Sequence, residues 1–357
     1  MKGLVLAGGH GTRLRPLTFT GNKHMIPIAN RPILFYGLQQ MARSGIVEVG
    51  IVLGPIQEGI RESIGDGSAF GLHVTYIEQG PPRGLAHAVL CARDFLGDAP
   101  FLMYLGDNLL EHGVQSFVDL FDTQHPDAVL GVTAVAEPNK YGVIELQGLR
   151  IVSIEEKPRK PRSHLVLVGV YVFSPKIHEV IRELKPSARG ELEITDAIQE
   201  LVRAGGSVLP HRIFGWWKDT GGPEDLLHAN DLVLNSRGAS EFTRRSPLPD
   251  GVQVHGSVEI GTDCVIEPGV VLEGPSVIGS GVRLTPGTSV GPEAAIGDGV
   301  ELRGCSVRHS IVLEGARISG TVHLVDSLVG RNAIVQATQL PAHEVSLLVG
   351  DASRIRL

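Results

Sequence analysis

An apolar strand, Gly3-Leu4-Val5-Leu6-Ala7, runs directly into Gly8-Gly9-His10-Gly11-Thr12-Arg13. Closely spaced glycines let backbone N–H groups wrap an anion, and the arginine that follows can stabilise charge developing on it. The loop is not a Walker A motif, because no Gly-Lys-Ser/Thr follows, nor a full dinucleotide fingerprint, because Leu14 stands where the third glycine would fall. By itself the loop also suits an ordinary strand-to-helix turn.

Two carboxylates widely separated in sequence invite the same kind of chemistry. Asp107, in Gly106-Asp107-Asn108, follows a buried apolar run, and Asp219 lies in Trp216-Trp217-Lys218-Asp219-Thr220-Gly221. Two aspartates from distant loops can meet at one magnesium ion beside phosphates. Asp-Asn and Asp-Thr-Gly are equally good turn and cap sequences. Lys23, ahead of His24-Met25-Ile26-Pro27-Ile28, and Lys157, in Glu155-Glu156-Lys157-Pro158, are either solvated surface charges or ligands of a substrate phosphate.

The elements that must position these groups are legible from hydrophobic pattern. Short apolar runs at 47–53, 101–105, 128–136 and 165–173 predict strands, and amphipathic stretches at 33–44, 85–95, 114–123 and 194–204 predict helices. Such alternation predicts an α/β domain with a Rossmann-like, parallel or mixed sheet covered by helices. Ligands bind such sheets at the carboxyl edge, where Gly8–Arg13 and Gly106-Asp107-Asn108 both fall.

Beyond Ser236 the texture changes. Val254, Ile260, Ile266, Leu272, Ile278, Leu284, Val290, Ile296 and Leu302 recur at six-residue spacing, a period that belongs to neither helix nor hairpin. This hexapeptide repeat predicts a parallel β-helix with the aliphatics inward. The register slips after Leu302, which reads as a degenerate last coil or a cap. The organisation expected is a catalytic domain over 1–236, a linker over 237–250 and a β-helix over 251–357.

At 357 residues the chain suits two domains. A net charge of −7 argues against a nucleic-acid surface, and three scattered cysteines imply neither a disulfide framework nor a zinc site. The first strand begins at Lys2 and no apolar run reaches membrane length, so a soluble cytoplasmic protein with no membrane partner is expected.

Taken together, the motifs resemble the sugar-phosphate nucleotidyltransferases. The resemblance rests on Leu6 to Leu14, Lys23 with Pro27, Gln79 with Gly84-Leu85-Ala86, and Gly106-Asp107-Asn108. It continues through Tyr141-Gly142-Val143, Glu155 to Pro158, Gly169-Val170-Tyr171, Gly190 to Asp196 and Asp219-Thr220-Gly221, in the family's order over residues 2 to 235. It implies that Leu6, Gly8, Gly9, Gly11, Thr12, Arg13, Gln79, Gly84 and Asp107 hold the nucleotide, with Gln79 and Gly84 on the pyrimidine edge. Asn108, Gly142, Glu156, Lys157 and Leu167 would take the sugar phosphate, Asp107 and Asp219 would bind Mg2+, and Arg13, Lys23 and Lys157 would be catalytic.

The implied reaction joins dTTP and glucose 1-phosphate to give dTDP-glucose and pyrophosphate, as in deoxysugar biosynthesis. UTP use and a non-catalytic scaffold role are the alternatives. His10 stands where the family often has serine or an acidic residue, and His24 where many dTTP-using members have glutamine. The repeat makes the chain similar to the family's long form, with a carboxyl-terminal left-handed β-helix. That domain is expected to assist homo-oligomer assembly. Acyl transfer is the competing role, with His255, His309 and His323 in the repeat region but without a diagnostic neighbourhood.

Overall fold

Strand Lys2–Ala7 is apolar on both faces and buried from Leu4 to Ala7, as a strand at the centre of a covered parallel sheet must be. The computed structural model describes residues 1–55, 59–148, 150–337 and 344–357. The chain divides into two compact units, one of Met1–His10 with Leu34–Asp219, the other of Gly11–Ile33 with Thr220–Leu357.

In the first unit, Lys2–Ala7 pairs in parallel with Glu48–Leu53 on one side and Phe101–Leu105 on the other. His73–Glu78 extends the parallel edge, and Leu165–Phe173 runs antiparallel to Phe101–Leu105, making the sheet mixed. Leu165–Phe173 also pairs with Ala128–Ala134 and, at Val166, with the hairpin of Gly142–Gln147 and Arg150–Glu156. Leu4, Leu6, Phe101, Met103 and Phe173 pack with helix residues such as Val89, Ile177 and Ile198 in one core. The helix expected over 85–95 is two, Leu85–Cys91 and Arg93–Leu96. At Ala92 (φ −87°, ψ 2°) the N–H is shared between Ala88 O and Val89 O, both at 3.2 Å, a tightened turn that re-aims the axis.

The second unit is dominated by a parallel β-helix of three sheets with six strands each, the arrangement of the left-handed class. Ile260, Ile278, Ile296, Val312 and Val329 stack in one interior column. The register slip after Leu302 is not a cap. Coils continue to Arg354–Arg356, and Ile296 stacks on Val312 and Leu302 on Ile318 because the corners have lost residues while the inward columns persist. One corner column carries left-handed backbone through Asp263, Gly281, Gly299, Gly315, Asn332 and Ala352. Glycine, aspartate and asparagine meet that requirement at least cost.

Two further pieces belong to this unit. Helix Pro223–Ser236 starts with proline in its first turn and Glu224 and Asp225 on its positive end. A short ribbon pairs Pro27 with Pro32 and Ile28 with Arg31, turning on Ala29 and Asn30, both at positive φ. Asn230, fully buried, accepts from Ala29 N (3.0 Å) and donates to Glu293 O (3.1 Å), so one amide joins ribbon, helix and β-helix. Among the described residues no helix is long and apolar enough to cross a membrane.

Candidate active site

The glycine loop begins in the first unit and ends in the second. Gly8 leaves the central strand so close to its neighbours that an added methyl would stand 2.8 Å from Gln79 Oε1 and 3.4 Å from Gly54 N. Glycine there is a packing requirement that also lets backbone approach a ligand. Gln79, buried at the end of the edge strand, donates from Nε2 to Gly84 O (3.1 Å) and lies 3.2 Å from His87 Nδ1. Gly84, at φ +104°, abuts the backbone of Leu192. Leu6, Gly8, Gln79 and Gly84 thus gather along one sheet edge.

In the second unit, Gly11 takes φ +60° and caps the 3-10 turn Thr12–Leu14. Its carbonyl accepts from Thr18 Oγ1 (2.8 Å), and a methyl on Gly11 would stand 3.0 Å from Lys23 Cβ. Arg13 lies along Gly221, where an added methyl would stand 3.1 Å from its Nη1. Gly9, His10, Thr12 and Arg13 are exposed, whereas His24 is buried, its Nδ1 2.6 Å from Asn22 Oδ1.

Backbone pairing brings the segments that carry the two aspartates together. Asn108–Leu110 and Trp217–Asp219 form an antiparallel ribbon that sets Asp219 opposite Asn108, one residue after Asp107. Asn108 is buried and its amide is engaged through both nitrogen and oxygen. Nδ2 donates to Asp107 Oδ1 (3.0 Å), and Oδ1 accepts from Trp217 Nε1 (2.6 Å) and Gly169 N (3.4 Å). A methyl on Gly169 would stand 2.8 Å from Asn108 Nδ2, so glycine there admits this turn.

Sugar-side candidates converge on Gly142. A methyl there would stand 2.7 Å from Thr195 Cγ2, 3.3 Å from Glu156 Oε2 and 3.3 Å from Leu167 Cδ1. Glu156 pairs with Gly142 across the hairpin and receives Lys157 Nζ (3.4 Å) and Arg189 Nη1 (3.4 Å). Lys157 takes φ +43° and donates its N–H to Tyr141 O (3.0 Å). It opens onto a cavity of about 890 Å³ shared with Arg159, Lys160 and Arg162, a strongly cationic wall. Burial pushes the Glu193 and Asp196 carboxyls up, and the nearby Glu156 charge adds to the effect.

Three residues enter this site without having been singled out by the sequence. Arg189 reaches Glu156 from just before the Gly190–Asp196 motif, and Thr195, inside that motif, has a buried Oγ1 with no hydrogen-bond partner. Trp217 holds Asn108 and packs edge-on against Tyr141 at 5.4 Å. The motif match carried Thr195 within Gly190 to Asp196, and Trp217 stood only in the stretch quoted around Asp219; Arg189 had no signal of its own.

A mixed sheet with a glycine loop at its carboxyl edge, Asp219 paired opposite Asn108 and a cationic wall around Lys157 is an arrangement suited to a nucleotide-handling transferase. Residues 2–236 match the nucleotidyl transferase family model, and the chain belongs to that family. Over its full length it is 46% identical to the glucose-1-phosphate thymidylyltransferase of Streptomyces griseus, covering 99% of that protein. It is 43% identical to the low-salt glycan biosynthesis nucleotidyltransferase Agl11 of Haloferax volcanii, each chain covered completely. Among solved structures, UDP-glucose pyrophosphorylase complexed with UDP-glucose is 26% identical, with a TM-score of 0.60 over 66% of this chain and 99% of that one.

Proposed function

We propose that the chain transfers a thymidylyl group from dTTP to α-D-glucose 1-phosphate, releasing pyrophosphate. The observation that carries the chemistry is the Asn108–Asp219 pairing, which brings a second carboxylate beside the Asp107 turn. The nucleotide and sugar are taken from the full-length likeness to an enzyme of that name.

In this reading a phosphate oxygen of the sugar phosphate attacks the α-phosphorus. The bond from that phosphorus to the bridging oxygen breaks, and its electrons leave with pyrophosphate. The nucleophile is already an anion, so no general base is required, and the protein's task is to orient two polyanions and neutralise their charge. Arg13 and Lys23 serve the triphosphate, Lys157 the sugar phosphate, and Glu156 the sugar hydroxyls within the Gly142–Leu167 pocket. Gln79 and Gly84 read the base, and the loop residues Gly8, Gly9, Gly11 and Thr12 give close backbone approach. Asp107 and Asp219 are hard oxygen donors suited to Mg2+, which when bound would offset triphosphate charge. Asn108 holds Asp107 in addition to facing the sugar side. We also take the enzyme to be cytoplasmic and a homo-oligomer, the latter supported by Val265 and Leu348, exposed apolar residues of the β-helix.

Uridylyl transfer is the second reading, favoured by the likeness to UDP-glucose pyrophosphorylase. Thymine and uracil differ by one methyl group, which apolar contact separates by roughly tenfold to a few hundredfold. The test is pyrophosphate release from purified protein with glucose 1-phosphate, Mg2+ and each of dTTP, UTP, GTP, CTP and ATP. Fastest turnover with dTTP supports the proposal. Faster turnover with UTP moves the reading to the second, and no release with any nucleotide overturns both.

A further inference from the structure

The second unit contains a polar cluster that nucleotidyl transfer does not use. Successive corners of the β-helix stack Glu293, His309 and Asp326 in one column, each at positive φ (58°, 43° and 49°). Hydrogen bonds from Glu293 N to Pro275 O and from His309 N to Pro292 O tie each corner to the coil before it. Helix Pro223–Ser236 lies against this column and contributes Asp231.

His309 is held at both nitrogens: Nδ1 by Asp326 Oδ1, and Nε2 by Asp231 Oδ2 at 2.6 Å. With the Nδ1 proton given to Asp326, the neutral ring presents a lone pair at Nε2 to a carboxylate oxygen. A proton bridges that contact in the absence of metal, and a metal ion that takes the lone pair displaces the proton and lengthens the contact. Asp231 Oδ1 is buried and has no hydrogen-bond partner. Three carboxylates around one imidazole leave net negative charge even when the ring is protonated.

One donor atom each from Asp231, Glu293 and His309 lies within 4.8 Å of the others. Donors of one tetrahedral zinc ion stand about 3.3–3.5 Å apart, so side-chain rotation must lengthen the Asp231–His309 contact and bring in Glu293, whose Oε1 now accepts from Asn235 Nδ2 at 2.9 Å. Asp326 on the far ring nitrogen is the carboxylate that metal-ligating histidines commonly carry to fix tautomer and orientation. Asp231 and His309 open onto a cavity of about 640 Å³ that Asp326, His228 and Leu348 also line, with room for a water as fourth ligand.

We infer that Asp231, Glu293 and His309 form a site for a divalent borderline metal ion such as Zn2+, clamping helix Pro223–Ser236 to the β-helix. The nitrogen ligand separates this site from the all-oxygen pair Asp107 and Asp219.

Full-length protein stripped of metal is titrated with Zn2+ by equilibrium dialysis and with Co2+ by visible absorption. The wild type and an Asp107→Ala/Asp219→Ala double variant are expected to bind one Zn2+ per chain at this site. Both should also give the intense d–d bands of four-coordinate Co2+. His309→Gln and Glu293→Gln should weaken Zn2+ at least ~100-fold, and Asp326→Asn roughly tenfold to a hundredfold. Zn2+ should raise the melting temperature of the wild type and not that of Glu293→Gln. Absence of those Co2+ bands in the wild type, or unchanged Zn2+ affinity in His309→Gln, overturns the site. The wild-type spectrum decides alone if the variants do not fold. Loss of Zn2+ only in the double aspartate variant would assign the ion to the other pair and likewise overturn it.

Discussion

Asp219 sits directly across an antiparallel ribbon from Asn108, while Asn108 hydrogen-bonds Asp107 through its side chain at 3.0 Å. The ribbon therefore fixes the backbone of Asp219 relative to the Asp107 turn, and a buried amide holds one oxygen of Asp107. Replacing Asn108 by alanine leaves Trp217 Nε1 and Gly169 N without their acceptor. Stability is expected to fall by about 1–3 kcal/mol in urea unfolding. The Mg2+ concentration for half-maximal activity should rise about tenfold, and an unchanged requirement would limit the bracket to a role in the fold.

Arg13 is exposed and lies along Gly221. Arg13→Ala should lower kcat by about two to three powers of ten, the usual cost of removing one charge-stabilising group from a phosphoryl site. Its thermal unfolding should match the wild type, because no core contact is lost. Activity within twofold of the wild type would remove Arg13 from the catalytic set.

Gly142 leaves no room for a side chain, with Thr195 Cγ2 only 2.7 Å from an added methyl. Gly142→Ala should crowd Glu156 and Leu167, raising KM for glucose 1-phosphate about tenfold or more while KM for dTTP changes little. Steady-state kinetics with each substrate varied in turn separates the two, and an effect on dTTP alone would contradict the assignment of this pocket.

His178 is buried, stacks on Phe101 with ring centroids 5.6 Å apart, and has neither ring nitrogen hydrogen-bonded. Burial pushes its pKa down to about 4 from 6.5. The folded state thus prefers the neutral ring, and the associated stability is present above pH 6.5 and lost as pH falls towards 4. That loss is worth roughly 3 kcal/mol. Denaturant unfolding from pH 7 to pH 4 should show the decline, and His178→Phe should flatten it.

The amino-acid sequence alone determined features whose cause is local or periodic. An inward aliphatic every six residues dictates a β-helix, because only coils of that period can bury each one. The strand-to-glycine break after Ala7 similarly marks the carboxyl edge of the sheet. Gln79, Asp107, Glu156 and Asp219 were legible only as members of a motif series. Tertiary structure decided what depends on elements remote in sequence. It set Asp219 opposite Asn108, turned Arg189 and Thr195 onto the Glu156 pocket, shortened the later coils without disturbing their columns, and brought Asp231 to His309. Register and corner stacking fix such proximities, and they leave no periodic trace in the residues they join.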